Sequence, residues 1–293
     1  MTERFMELGP AVERWIPPGS FVAVGGMHMT AAPMSLVREL VRREVHIHRL
    51  LTSPSASLQA DLLIGAGLVS EIVSPYVGFE HLGLAPCFRR AVEGGELRVL
   101  ECDEGSITHA LHAGAGGLPF IPCPPGVDLT DIPAMNPELY ARAMDPFTGE
   151  EGWAVRALRP DVMLLACHEA DEDGNVTLDR FPFTDRVMAL ASKRLLVQVE
   201  RVVQTAQIAV RSPGMSIPGF LVSAVVVTPG GCHPTASPGG YEADEGWLRE
   251  YLQVARDPEA FGEYLARTVV DVPEAAYLEL VASRRAAADG ATR

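Results

Sequence analysis

The sequence has few cysteines, a shortage of basic residues and no long apolar run. Its five cysteines are odd in number and form no CxxC pair, so neither a disulfide framework nor a typical zinc site is indicated. Lys and Arg number 24 against 38 Asp and Glu, and the net charge of −14 argues against nucleic acid or an anionic membrane as a partner. No apolar stretch reaches the roughly 18 residues of a membrane helix, and acids stand where a signal peptide would be basic. We therefore predict a cytoplasmic protein.

The residues that are present are typical of a chain with a large globular core. Hydrophobic residues make up 47% of the sequence and charged residues 21%. Short β-branched runs alternate with segments of helical spacing, which predicts an α/β fold with a mostly parallel sheet flanked by helices. We predict a single domain over residues 1–293. A proline-rich loop at 118–146 is expected to pass over the site, and helices over about 244–288 are expected to end the chain.

Residues 21–33, FVAVGGMHMTAAP, resemble a turn between a strand and a helix. A β-branched run ends at Gly25 and Gly26, and a helix is predicted to follow with Thr30 as its N-cap. One interpretation is a tight turn that needs glycine for its backbone angles. The other is a loop that approaches an acidic or phosphate-bearing ligand, which unpaired N–H groups at the helix start would hold. The pattern matches neither GxGxxG nor the P-loop, so both interpretations stay open.

The loops that follow the parallel strands are predicted to form one shared site, because ligands of such sheets lie beyond the carboxyl ends of the strands. These loops are at 25–30, 52–57, 78–83, 102–106 and 228–234. The predicted ligand contacts are Gly25, Gly26, Met27, His28, Phe79, His81, Gly105 and Ser106. No metal is predicted, because His109 and His112 lie one helical turn apart without a third ligand. His233 is predicted to stabilise a turn near the site, and the cysteines are predicted to be structural.

The stretch at 21–33 also resembles the first signature of the family I coenzyme A transferases. That signature is a glycine, two variable residues, three apolar residues, Gly-Gly-Phe, three variable residues and Gly-x-Pro. The residues in register are Gly19, Val22-Ala23-Val24, Gly25-Gly26-Met27 and Ala31-Ala32-Pro33. Three residues depart from the usual pattern: Pro18 replaces Asp or Asn, Met27 replaces Phe, and Ala31 replaces Gly.

Further segments resemble the α-type subunit of glutaconate CoA-transferase, in the same order along the chain. They are AGAGGLPFIP (113–122), DPFTGEE (145–151), PDVMLLACHEADEDGNV (160–176), LLVQVERVV (195–203) and IPGFLVSAVVVTPGGCHP (217–234). The resemblance implies a NagB/RpiA/CoA-transferase-like α/β fold. It also implies the α subunit of a heteromeric CoA-transferase that acts on an acyl-CoA and a carboxylic acid. No permanently bound cofactor is implied, because the coenzyme A thioester is a substrate.

The mechanism that this resemblance implies places the nucleophile on another chain. In heteromeric members the β subunit supplies a glutamate that attacks the thioester, passes through an anhydride and becomes a glutamyl-CoA thioester, while backbone N–H groups stabilise the oxyanions. That glutamate lies in a Ser-Glu-Asn-Gly-like stretch, and we find no such stretch here in a β-type context. We therefore predict an obligate β-subunit partner, in a heterodimer or heterotetramer with the active site at the interface.

Glu104, in ECDEG at residues 101–105, allows a second function. The segment resembles the Asp-Glu-Gly of the α subunit of the steroid-ring-opening CoA hydrolase of actinobacterial cholesterol catabolism, in which that glutamate is the catalytic acid or base. Glu104 would then activate water against a cyclic β-dicarbonyl CoA thioester. The structural alternative is a first-turn acid that stabilises the helix dipole by a few tenths to about 1 kcal/mol. A third possible function is a sensor of the same fold that binds a small anion without catalysis.

Overall fold

A sheet of nine strands lies at the centre of the structure. The structure is a computed structural model, and it describes residues 3–178, 183–211, 216–237 and 239–291. In chain order the strands are β1 (Ser20–Val24), β2 (Ile47–Thr52), β3 (Val69–Val73), β4 (Arg98–Leu100), β5 (Phe120–Pro122), β6 (Tyr140–Met144), β7 (Glu151–Arg156), β8 (Val162–Asp171), β9 (Val176–Thr177), β10 (Leu195–Val203), β11 (Ser216–Ile217) and β12 (Ala224–Val227). Seven of them form a parallel sheet in the order β12-β10-β8-β1-β2-β3-β4. The short strands β9 and β11 extend it in antiparallel fashion at the far end of β8.

Helices cover both faces of this sheet. In chain order they are α1 (Leu8–Trp15), α2 (Met34–Arg42), α3 (Leu58–Gly65), α4 (Pro86–Glu93), α5 (Glu104–Ala115), α6 (Ile132–Met135), α7 (Asp185–Ala191), α8 (Thr205–Arg211), α9 (Glu245–Val254), α10 (Pro258–Leu265) and α11 (Glu274–Ala291). The mostly parallel α/β architecture that the sequence predicts is therefore confirmed. Among the described residues, no helix is both long and apolar enough to cross a membrane.

Two apolar cores lie on opposite faces of the sheet, because successive side chains of a strand point to opposite sides. Val22 and Val24 of β1 belong to the core beneath α1 to α4, α9 and α10, with Leu50 and Tyr251. Ala23, between them, belongs to the second core, which α5, α7 and β7 cover. Both faces of β1 are thus buried, and this explains why its sequence is continuously apolar instead of alternating.

The proline-rich segment contains more regular structure than the predicted loop at 118–146. Strands β5, β7 and β6 form a separate antiparallel sheet in that order, and β6 is a strand that the sequence analysis missed. Pro119 and Pro137 lie outside the strands, and Pro122 is the last residue of β5. Proline is compatible with strand ends and edges, where no ladder N–H is needed. The density of prolines was therefore a poor reason to exclude strands here.

The start of α2 also differs from the prediction. Thr30 was expected to be the N-cap, but the helix begins at Met34, and Pro33 occupies the N-cap position without a side-chain hydrogen bond. The Thr30 N–H donates to the Met27 carbonyl at 3.0 Å, and Thr30 forms a parallel bridge with Ala236. The residues after the two glycines are thus held by a neighbouring loop before the helix begins.

Candidate functional site

The loops after β1 and β2 are joined at the carboxyl edge of the sheet by hydrogen bonds that involve three buried serines. Ser53 Oγ donates to the Gly26 carbonyl, and Ser57 Oγ donates to the His28 carbonyl at 2.5 Å. In return, the His28 N–H donates to the Ser55 carbonyl at 2.8 Å. The predicted convergence of residues 25–30 and 52–57 is therefore present.

The loop after β12 packs against the same residues. The Ala31 N–H donates to the Ala236 carbonyl and the Ala236 N–H donates to the Met29 carbonyl, both at 2.8 Å. His233 in this loop is fully buried, and its Nδ1 lies 2.7 Å from the Tyr277 hydroxyl. His233 therefore stabilises the loop as a buried residue. This position agrees with the prediction that His233 stabilises a turn.

The space beside Gly25 and Gly26 is filled by the chain itself. A Cβ on Gly25 would lie 3.0 Å from both Met163 Cε and Asp185 Oδ1, and a Cβ on Gly26 would lie 2.6 Å from the Ala31 carbonyl oxygen. Gly26 also has a φ of +83°, in the left-handed region that favours glycine. These contacts favour the interpretation of a tight turn. These distances concern only the direction of an added Cβ, so a ligand contact of the Gly25 and Gly26 backbone stays a prediction.

The N–H groups at the start of α2 are already bonded, which disfavours the interpretation of this stretch as an anion site. The Met34 N–H donates to the Ala32 carbonyl, the Ser35 N–H to the Gly231 carbonyl and the Leu36 N–H to Gln198 Oε1. In the loop before it, the Gly26 N–H donates to the Asp185 carboxylate at 3.1 Å. Asp185 is a contact that the sequence analysis missed, since only its place at the start of a helix distinguishes it there.

The side chains of His28 and Glu80 are in contact and join the loop after β1 to the loop after β3. The pair involves His28 Nδ1 and Glu80 Oε1, and Ser55 Oγ lies 2.9 Å from the same ring nitrogen. Both residues have left-handed backbones, with φ of 53° and 54°. Such conformations cost energy in residues other than glycine and are concentrated at functional sites. Both side chains remain more than one third exposed, so a ligand at this edge could reach them.

Three further predicted ligand contacts lie in the loops after β1 and β3, and their surroundings differ. Met27 is partly buried, and its N–H donates to the Thr30 carbonyl. Phe79 is 0% exposed and packs against Tyr251 at a ring distance of 5.8 Å, so its side chain belongs to the core and cannot line a substrate wall in this chain. His81 is exposed and lies 2.9 Å from Glu245 at the start of α9.

The start of α5 places Glu104 at the same edge. Asp103 is the N-cap residue: its Oδ1 accepts from the Ser106 N–H at 2.9 Å and its Oδ2 from Ser106 Oγ at 2.5 Å. Ser106 is therefore a buried capping partner, and Gly105 leaves room for Pro124, whose Cγ would lie 2.9 Å from an added Cβ. Glu104 is exposed, and its side chain forms no hydrogen bond or ion pair with any residue that the structure describes. Among the predicted residues, Glu104 is thus a carboxylate that is available to a ligand or a partner.

The thiols are poor candidates for nucleophiles. Burial raises the pKa of Cys87 and Cys232 to about 12, and nearby carboxylates add to the effect. The pKa of the half-buried Cys123 is raised to about 11, and burial raises those of Cys102 and Cys167 as well. Because the thiolate is the reactive form, none of these cysteines is activated at neutral pH. The described ranges also contain no group of three or more His, Cys, Asp or Glu side chains that could hold a metal ion.

Comparison with solved structures identifies the class of fold. The structure superposes on glutaconate coenzyme A-transferase from Acidaminococcus fermentans with a TM-score of 0.88 and 28% identity, over 97% of this chain and 94% of that chain. The fold is therefore that of a CoA-transferase. The family model for coenzyme A transferases matches residues 5–228. The chain belongs to the coenzyme A transferase family.

Three relatives show which type of subunit it resembles. It is 35% identical to the α-type subunit of 3-oxoadipate CoA-transferase from Pseudomonas knackmussii, over 89% of this chain and 91% of the relative. It is 30% identical to the cholesterol ring-cleaving hydrolase IpdA subunit of Rhodococcus jostii, over 85% of this chain and 86% of the relative. A 34% identical protein of Archaeoglobus fulgidus is longer, and 96% of this chain spans 63% of it. The chain is thus similar to the A-type subunits of CoA-transferases and of a related hydrolase.

Proposed function

We propose that this chain, with a β-type subunit, transfers coenzyme A between carboxylic acids, and that the β-type subunit supplies the attacking glutamate. The similarity to the α-type subunit of 3-oxoadipate CoA-transferase, over 91% of that protein, carries the proposal. Glutaconate and 3-oxoadipate, the acids in two relatives' names, are both dicarboxylic. We therefore propose a dicarboxylic acid as acceptor and its CoA thioester as product.

The groups at the carboxyl edge support a division of chemistry between two chains. The thiols are buried with raised pKa values, and the glycine turn is filled by its own neighbours. An attacking carboxylate from a second subunit would complete the site: it displaces the thiolate of coenzyme A from the thioester and forms an anhydride. The thiolate then attacks the glutamyl carbonyl, which gives the glutamyl-CoA thioester and releases the first acid.

His28 is the group of this chain that we assign to the acid substrate. Its Nδ1 contacts the Glu80 carboxylate in the structure, and a substrate carboxylate would take the place of Glu80 as its partner. The left-handed backbone at both residues holds the pair in place and limits the entropy that substrate binding would cost. His81, which lies on the same loop as Glu80, would contribute a second imidazole at the rim.

Glu104 favours a second candidate function, ring-opening hydrolysis of an acyl-CoA. Its carboxylate is exposed at the site edge without a partner among the described residues, and the chain is similar to a ring-cleaving hydrolase subunit. A general base must be free to contact water and substrate, and Glu104 meets that condition. Hydrolysis would need no glutamate nucleophile from the second subunit.

A single substitution, Glu104→Gln, separates the two functions. The variant and the wild type are each assembled with the β-type subunit, and both complexes are assayed with acyl-CoA donors and 3-oxoadipate or glutaconate. If transfer is correct, Glu104→Gln keeps its rate within about threefold, because an exposed charge contributes well under 1 kcal/mol. Borohydride reduction followed by mass spectrometry should then find a glutamyl-CoA adduct on the β-type subunit.

Glu101→Gln is the matched control, since Glu101 is an exposed carboxylate of the same loop. Loss of turnover by about 100-fold or more in Glu104→Gln alone, without any adduct, would establish the hydrolase instead. Full activity of this chain without a partner would contradict both functions.

A further inference from the structure

Large apolar side chains are exposed in an unusual number within one segment of 30 residues. Six of them lie between residues 118 and 147 in the proline-rich region. They are Leu118, Phe120, Leu129, Met135, Met144 and Phe147. Exposed apolar side chains that lie together mark surfaces that bind other proteins, so this segment is a candidate for such a surface.

Phe147 is the most exposed of these residues, at 95%, and it lies in the turn between β6 and β7. The turn is well ordered by hydrogen bonds. The Phe147 N–H donates to Asp145 Oδ1 at 2.8 Å, the Asp145 N–H donates to the Glu150 carbonyl at 2.8 Å, and the Gly149 N–H donates to the Asp145 carbonyl at 2.9 Å. A rigid turn that holds a phenyl ring in water is the geometry of an interface anchor, because little entropy remains to be lost on binding.

The hairpin extends past the rest of its sheet toward the candidate site. Strand β5 ends at Pro122, which pairs with Ala154, whereas the β6 ladder continues to the pair of Met144 and Glu151. Beyond β5 the chain reaches Pro124, which packs beside Gly105 at the start of α5. The tip of the hairpin and Glu104 therefore lie toward the same edge, and a protein that covers one would approach the other.

The tip is also acidic. Asp145, Glu150 and Glu151 surround the turn, and residues 144–151 contain no Lys or Arg. The nearest basic side chain along β6, Arg142, stacks over the Trp153 ring at 4.3 Å. A complementary surface would hold an apolar pocket with Lys or Arg at its rim.

We propose that the β6–β7 hairpin inserts Phe147 into an apolar pocket with a basic rim on the β-type subunit. This inference rests on the proposed function, which requires that partner at the same edge. It is tested by measuring the affinity between the purified chain and its cognate β-type subunit, by calorimetry or biolayer interferometry. Phe147→Asp should weaken binding by about 30-fold or more, as expected for an anchor residue. Phe147→Met should retain binding within a few-fold, and higher salt should weaken wild-type binding.

Phe220→Asp is the matched control, because Phe220 is 77% exposed but lies outside this segment, in the turn Gly219–Leu221. If Phe147→Asp binds as tightly as the wild type, or if both Asp variants lose the same affinity, the hairpin is not the anchor. A wild-type chain that self-associates through Phe147 in light scattering would also overturn the inference. In each of these cases an active wild-type complex would leave the proposed function intact. A wild type that binds no β-type subunit would contradict both.

Discussion

Gly26 is confined by its backbone angle and by its neighbours. Its φ of +83° is unfavourable for any L side chain, and an added Cβ would meet the Ala31 carbonyl oxygen at 2.6 Å. Gly67, after α3, has a similar φ of +70° but nothing within 4 Å of the same position. The two glycines therefore differ in steric surroundings while they share the conformational requirement.

Gly26→Ala should destabilise the protein more than Gly67→Ala. We expect about 1 kcal/mol for Gly67→Ala from the left-handed backbone, and a further 1–3 kcal/mol or so for Gly26→Ala from overpacking against the rigid Ala31 backbone. Urea denaturation of both variants measures the difference. Equal losses would mean that the loop at 26–31 moves aside, so that room for a ligand could open there after all.

The sequence predicted this turn but did not predict the residues that pack beside it. Two adjacent glycines after an apolar run predict a tight turn from local rules. Asp185 and Met163, which occupy the space beside Gly25, are more than 130 residues away along the chain. The same limit of local rules applies to Phe79. Its position in a loop predicted a side chain that a ligand can reach, whereas its packing against Tyr251 places it in the core.

At the level of elements, a buried charge network fastens α11 to α2. Glu274 accepts hydrogen bonds from Arg38 Nε at 2.9 Å, Arg42 Nη2 at 2.7 Å and Ser35 Oγ at 2.6 Å. The Arg38 guanidinium is buried and lies 4.0 Å from the centre of the Tyr277 ring. Burial alone would raise the pKa of Glu274, but the Arg38 charge and these hydrogen bonds outweigh it and lower that pKa.

Glu274→Gln should therefore destabilise the protein by about 3–5 kcal/mol, because it leaves the buried Arg38 without its counter-charge. The pKa of Glu274 is lower in the folded than in the unfolded protein. The contribution of Glu274 to stability is therefore complete above the unfolded pKa near 4.5, and it is lost as the pH falls through the folded pKa. The stability difference between wild type and variant should thus narrow below about pH 4.5 in denaturation curves.

Glu279→Gln, at an exposed position of the same helix, is the control and should change stability by less than about 0.5 kcal/mol. A Glu274→Gln effect as small as that of Glu279→Gln would show that water reaches Arg38.

Some elements carry strong local signals for their bounds. In α4, Pro86 lies in the first turn and Gly94 and Gly95 follow the last residue, Glu93. Strand β6 was missed because its stability comes from pairing with β7, for example between Tyr140 and Val155, and not from its own composition. The start of α2 was misplaced because the contact of Thr30 with Ala236 joins residues that are distant in sequence.

At the scale of the whole molecule, the proposed function assigns the attacking glutamate to another chain. Family membership and the mostly parallel sheet follow from patterns that the sequence carries. The proposed binding place of the partner does not follow from such patterns. The exposure of Phe147 becomes visible only in the structure of the turn between β6 and β7.

Binding of the β-type subunit should stabilise this chain against heat, because a partner that binds only the folded state adds free energy to it by mass action. At a β-type subunit concentration 100 times the dissociation constant this amounts to about 2.7 kcal/mol, or a rise in Tm of about 4 °C for a chain of 293 residues. Differential scanning calorimetry of the chain with increasing amounts of the partner measures the shift. Phe147→Asp, with binding weakened about 30-fold or more, should show about a third of that rise or less at the same concentrations, whereas Phe220→Asp should follow the wild type. An unchanged Tm in a mixture that turns over substrate would mean that the two chains meet only transiently, and the obligate heteromer would then be wrong.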